Sequence, residues 1–269
     1  MIRTSPIPIS YLTNNSFVLG RRVSGLLQEP FDKADLQKRV LNKSKDKKKA
    51  KFAFYIDTRA LSLRLDQVLG ASNWETKIWD VKDAGDRICV VATLTIGGSS
   101  RDAEGEELKM RAGWEKGSQP ESQDLVFMRA GPQARKRAAV EFGVGAYLYQ
   151  FSEVNTWEEI DDYGQPKDKL IDMQKLPLWA RPTPGPTLVL REAAYILNIQ
   201  LPEDIHQIQQ QDKEALQNFL LNKFGIKTLS AGFSREDYIE LASVIARIAD
   251  YLDLNGGGFD KLPYLELPV

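Results

Sequence analysis

The spacing of apolar residues changes period several times along the chain, and each change predicts an element. Leu61, Leu65, Val68 and Leu69 recur at helical steps through TRALSLRLDQVLG, and Gly70 supplies the stop. Just before it, FAFYI is short and rich in aromatics and predicts a strand. Upstream, PFDKADLQKRVLN predicts a short helix with Asp32 as its cap. After Gly70 the period falls to two. WETKIWDVKD, DRICVVATLTIGG and EELKMRAGWEKG predict three strands. The turn chemistry of Asp83 to Asp86 and of Gly97-Gly98-Ser99-Ser100 makes an antiparallel meander the simplest connection. In the third run Lys109 and Arg111 alternate with Met110 and Ala112, which puts both cations on one sheet face.

Beyond Pro120 the pattern becomes helical, with an interruption at Gly131-Pro132. Proline is tolerated at a first helical position, so Pro132 predicts the start of a new helix. On that helix Ala134, Ala138 and Phe142 share one arc with Ala139 at its edge, while Lys136 and Arg137 fall opposite. Small alanines suit close approach to a sheet. The outward Arg135-Lys136-Arg137 cluster admits two readings: a solvated face with an Arg137–Glu141 pair, or a phosphate contact. Gly143-Val144-Gly145 reads as a helix stop, because a dinucleotide fingerprint would need a third glycine and a preceding strand. Tyr147, Tyr149 and Phe151 alternate and would share one face if extended, either stacking on bases or filling a core. TWEEIDDYGQPKDKLID predicts two short strands around a Tyr-Gly-Gln-Pro turn. Prolines crowd residues 176–187, which predicts a linker. Leu188 to Leu254 is helical in pattern, with a polar helix around Gln207 to Phe224 and an amphipathic one around Asp237 to Leu252.

Charge sharpens this outline. The net charge is −1, but residues 1–51 hold 12 Lys/Arg against 4 Asp/Glu, a balance of +8. Residues 188–269 hold 7 against 12, a balance of −5. A basic front and an acidic back point to an anionic partner for one part and a different task for the other. The densest cations are in KSKDKKKAK, where Lys48, Lys49 and Lys51 make either a solvated loop or a phosphate-contacting edge. The single cysteine, Cys89, lies in a strand-like run and predicts a small buried residue in a reducing compartment. The single histidine, His206, argues against a structural zinc site and a His-based triad. No apolar run is long enough for a membrane helix and the N-terminus lacks a secretory pattern, so a cytoplasmic protein is expected.

Together, YIDTRALSLRLDQVLGASNW, the meander after it, KRAAVEFGVGAYLY, W-E-E-I-D and LPLWA resemble the Rad-fifty-two family of single-strand annealing proteins, most closely its phage and bacterial members. The resemblance covers roughly Phe31 to Ala180. It implies an α+β fold: an antiparallel β-meander with a helix packed across it as the annealing core, followed here by a small helical C-terminal region. It also implies rings or helical filaments, single-stranded DNA in a basic groove, and annealing without ATP or any cofactor. Lys136 and Arg137 match the family's adjacent groove Lys-Arg pair, and Arg59 lies near its other groove arginine. Gly131-Pro132 departs from the continuous helix the family carries there, which leaves Met128 and Arg129 outside the expected groove set. The expected DNA contacts are therefore Lys136, Arg137, Arg135, Arg59, Lys48, Lys49, Lys51, Lys109 and Arg111, with no catalytic or metal-binding residue.

The expected division is a core over 1–175, a linker over 176–187 and a helical region over 188–269, the last an acidic module that either docks on a repair-protein partner or regulates the protein by lying over a neighbour's basic surface. Two other functions compete. One is a DNA-end-binding or recombinase-loading protein that does not anneal. The other is a metal-dependent nuclease using carboxylates such as Glu158, Glu159, Asp161 and Asp162, although no metal-ligand spacing such as H-E-x-x-H occurs.

Overall fold

The computed structural model describes residues 19–109, 122–153, 157–161, 163–167, 171–229 and 232–255. The fold is α+β, and the chain divides into two compact units. One comprises Leu27–Arg64 and Trp74–Pro182 and carries both sheets; the other comprises Met1–Leu26, Leu65–Asn73 and Thr183–Val269, and its described elements are helices.

In the sheet-bearing unit, β3 (Trp74–Asp83), β4 (Arg87–Ile96) and β5 (Ser99–Leu108) form the antiparallel meander. Ile88, Val90, Ala92, Leu94 and Ile96 of β4 all point to one face and are fully buried. Each large aliphatic among them contributes about 1.5–3 kcal/mol by burial. Helix α3 (Gln123–Val140) covers this face. Val126, Ala130, Ala134 and Ala138 recur every four residues and have no exposed surface, so the packed side of α3 is a stripe of mostly small side chains. The stripe lets the helix backbone press on the sheet at Gly105 of β5. A Cβ there would stand 2.3 Å from the Ala130 carbonyl oxygen and 2.5 Å from the Ala134 nitrogen, so only glycine fits.

Three sequence expectations change in the meander. Its third strand lies at 99–108, not 106–117, because the β4–β5 turn consumes only Gly97 and Gly98, both at positive φ. Ser99 and Ser100 already pair with Ile96 and Thr95. Residues 110–117 of the expected strand lie outside the described residues. Helix α3 does not begin at Pro132 but runs through it, from a Ser122 cap to a 6→1 closure in which the Val144 N–H donates to the Ala139 carbonyl (3.1 Å). The missing N–H at Pro132 costs about 3 kcal/mol in a free helix. Burial of the alanine stripe on β4 and β5 offsets it. Cys89 is half-buried on the open sheet face rather than buried, since the core face of β4 takes its even-numbered residues.

The second sheet has the order β1-β2-β6, from β1 (Leu36–Lys43), β2 (Lys49–Ile56) and the two-residue β6 (Glu158–Glu159). Residues 30–42 were expected to be helical. Instead Asp32 opens a turn, its backbone carbonyl accepting the Asp35 N–H at 3.0 Å, and the chain enters β1 extended. Leu36 and Val40 fit either period, and antiparallel pairing with the β-rich β2 decides for the strand. Beyond β6, Asp161 accepts the Tyr163 and Gln165 N–H groups and closes the expected turn, and the Ile160–Pro166 bridge pairs across it. Tyr147, Tyr149 and Phe151 do not share a face. They sit on 3-10 turns (Ala146–Glu153), with Tyr147 and Phe151 buried and Tyr149 64% exposed.

The helical unit contains α4 (Gly185–Ile196), α5 (Gln210–Phe224) and α6 (Arg235–Asn255), with the start of α1 (Arg21–Gln28) and the end of α2 (Thr58–Leu69). Buried charge organises it. Asp250 of α6 accepts the N–H groups of Arg22 and Val23, both at 2.9 Å, and so caps the first turn of α1 from across the fold. Arg22 pairs with buried Glu192 of α4 at 2.6 Å and stacks on the Tyr195 ring at 4.0 Å. Among the described residues, no helix is long and apolar enough to cross a membrane.

Candidate nucleic-acid interface

The outward face of α3 and the C-terminal half of β2 line a groove of about 820 Å³ in the sheet-bearing unit. Arg39 of β1, Tyr55 of β2, Arg129, Lys136 and Arg137 of α3, and Tyr149 all reach it. Lys136 and Arg137 are there because the alanine stripe turns the opposite helix face outward. Each is oriented by a backbone carbonyl. Lys136 Nζ donates to the Ile56 oxygen at 3.2 Å and stands 5.4 Å from the Tyr55 ring centroid. Arg137 donates to the Glu104 oxygen at 2.9 Å. Neither forms an ion pair with a described carboxylate. Burial pushes the Lys136 ammonium below the ordinary lysine range, and the Arg39 charge pushes it the same way. A ligand anion would relieve both penalties. One acid enters the groove: Glu107 accepts from Gln133 at 2.8 Å and pairs with Arg129 at 3.4 Å.

The aromatic residues near the groove are held in a chain. Phe151 packs between Phe54 (5.0 Å) and Trp179 (5.5 Å), and Tyr147 anchors the 3-10 turns by accepting the Phe31 N–H at 2.9 Å. Burial pushes the Tyr147 hydroxyl up to about 12. Tyr149 is left on the groove wall with most of its ring exposed.

The other expected contacts are scattered. Arg135 is exposed on α3 but does not line the groove. Arg59, at the start of α2, is 95% exposed and faces Asp57 at 3.7 Å. Lys48, Lys49 and Lys51 lie at the β1–β2 turn and the start of β2, with Lys51 5.6 Å from the Trp157 ring centroid. Lys109 follows β5 and donates to both oxygens of Asp83 at 2.6 Å, holding that carboxyl below its usual range. Arg111 lies outside the described residues. Arg39 was missed because its segment read as a helix. The strand alternation of Leu36, Lys38 and Val40 facing FAFYI was the signal for it. Met128 and Arg129 return to the groove because α3 is continuous through Pro132.

The profile of the Rad52/22 family double-strand break repair protein matches residues 21–164, which contain α3, β1 to β6 and every groove residue described above. The chain belongs to the Rad52/22 family. It is also similar to the single-stranded DNA-binding protein DdrA of Deinococcus radiodurans, 30% identical over 184 residues that cover 66% of this chain and 78% of the relative. The Deinococcus deserti protein of the same name is 31% identical over 167 residues, covering 60% of this chain and 73% of its own. The Rad52/22 match ends at residue 164, so α4, α5 and α6 lie outside it. Among the described residues no three His, Cys, Asp or Glu side chains converge as a metal site would require.

Proposed function

We propose that this protein binds single-stranded DNA along the α3 groove and anneals complementary strands without nucleotide hydrolysis, as a ring or filament acting in recombinational repair. The carrying observation is that Lys136 and Arg137 project into a groove with their hydrogen bonds made to backbone carbonyls and not to a described carboxylate, inside the segment shared with the family. Cations held this way replace the counterions of a polynucleotide backbone. The DNA-binding relatives support the same ligand.

Mechanism follows from electrostatics and avidity. Annealing is slowed by hairpins in each strand and by repulsion between two polyanions. A cationic track extends one strand and lowers its charge, so a second strand can test pairing against it. Base pairing supplies the free energy, and no chemical step is needed. One groove holds few cations and binds weakly. Repetition of the groove in an oligomer raises affinity without new contacts. The acidic helical region then serves as the contact for a repair-protein partner, with the Pro-rich 176–187 segment as the junction.

The test is the double variant Lys136→Ala/Arg137→Ala in fluorescence-anisotropy and strand-annealing assays. Losing two charge-assisted contacts lowers affinity for a labelled oligothymidylate about a hundredfold or more, at ~1.5–3 kcal/mol each. Annealing is lost with it. Wild-type affinity in the double variant would remove the groove from the function. Tight binding by the wild type without faster pairing would favour end protection over annealing.

A further inference from the structure

We infer that Trp157 is a base-stacking residue at the far end of a cationic stripe, which leaves the α3 groove and follows one face of the β1-β2-β6 sheet. The inference rests on the proposed DNA-binding groove and extends it along the strand. Alternation in β2 puts Lys49, Lys51, Ala53 and Tyr55 on the same face. Their cross-strand partners share it: Gln37 opposite Tyr55, Arg39 opposite Ala53, Glu159 opposite Lys49. The opposite face is committed to packing, with Ala50, Phe52 and Ile160 buried beside Val40, and with Lys38 closed onto Glu158 at 2.7 Å.

The stripe begins where Lys136 stands over the Tyr55 ring and continues through Arg39 and Lys51 to Lys49. Its length is about 20 Å, six residues of strand at ~3.3 Å each. That span serves several nucleotides of an extended strand. Trp157 immediately precedes β6, so it flanks Lys51, and the Lys51 ammonium lies 5.6 Å from its ring centroid. The indole is 46% exposed. Glu159, the acid opposite Lys49, is engaged by Lys167 at 2.9 Å. An open aromatic face beside a cation is the pairing that single-strand sites use: phosphate to the ammonium, base to the ring.

The experiment compares full-length wild type, Trp157→Ala and Trp157→Phe on two labelled strands of equal length, oligothymidylate and its abasic counterpart. Stacking on one base is worth roughly tenfold in affinity. Trp157→Ala is expected to bind oligothymidylate about tenfold more weakly and the abasic strand as wild type does. Trp157→Phe should restore most of the loss. The dependence on salt should not change, since no phosphate contact is removed. An equal loss on both strands would mean that the indole only supports Lys51, and would overturn the inference; so would no loss on either. The Lys136→Ala/Arg137→Ala variant separates the two levels. If it loses binding while Trp157→Ala does not discriminate between strands, only the stacking role fails. If it binds as wild type does, the groove itself fails.

Discussion

The two units use charge in opposite ways. In the helical unit, charged groups are turned inward and held by buried partners: Arg22 on Glu192, and Asp250 on the N–H groups of the α1 backbone. In the sheet-bearing unit, Lys136 and Arg137 are held by carbonyls, which orient a cation without cancelling it. A charge paired with a carboxylate holds structure. A cation steered by a carbonyl at an open groove stays available to a ligand. Geometry and not the count of basic residues therefore separates the two roles, and Lys109, tied to both oxygens of Asp83, shows a cation of the first kind within the second unit.

This contrast can be broken or sharpened by substitution. The largest effects should cross: the groove double variant above loses affinity while its thermal unfolding midpoint holds, and Asp250→Ala does the reverse. Removing that carboxylate leaves two helix N–H groups without their acceptor. The loss should be about 2–4 kcal/mol of stability in denaturant unfolding, with DNA affinity unchanged. A destabilised double variant, or an Asp250→Ala protein that no longer binds DNA, would dissolve the distinction. Next in size, Gly105→Val forces α3 off the meander at Ala130 and Ala134, costing about 1–3 kcal/mol, and it should lower affinity as well because the same helix carries the cations. Chemical denaturation and anisotropy on the same preparation would check both.

Smaller effects sit inside the groove. Glu107→Gln removes the only acid among the residues named there and releases Arg129 from its pair, so affinity should rise by a few-fold, on the order of the ~0.2–1 kcal/mol of a partly exposed ion pair. A fall in affinity would mean that Glu107 positions Arg129 for DNA rather than competing with it. The smallest effect is a pH limb. Lys136 titrates below the 10.5 of an ordinary lysine, so DNA affinity should begin to fall on the alkaline side before the other lysines discharge. The unfolded chain keeps that proton longer, so stability of the free protein gains as pH rises through the same window. Affinity and stability thus move in opposite directions there. Lys136→Arg, which stays charged, should flatten the limb in a pH series of binding isotherms.

Much of the site was legible from residue order. The four-residue rhythm of Ala134 and Ala138 already turned Lys136 and Arg137 outward, and β4 announced its buried face by strict alternation. What failed were segments whose local pattern admits two periods. Residues 36–42 read as part of a helix and pair as a strand, which hid Arg39. Pro132 reads as a helix start and sits mid-helix, which hid Arg129. The alternation of Tyr147, Tyr149 and Phe151 described a strand, and the chain coils there instead, separating one exposed ring from two buried ones.

By itself, then, the order of residues determined the meander, the small-residue stripe of α3, the helix stop after it and the cationic pair opposite the stripe, because each depends on neighbours within a few positions. Only the tertiary structure decided that β1 is a strand, that α3 continues through a proline, and which of many lysines and arginines converge on one groove. Those outcomes turn on pairing and burial between segments far apart in the chain, where a partner strand or a covered helix face outweighs the one to three kcal/mol that local preference commands.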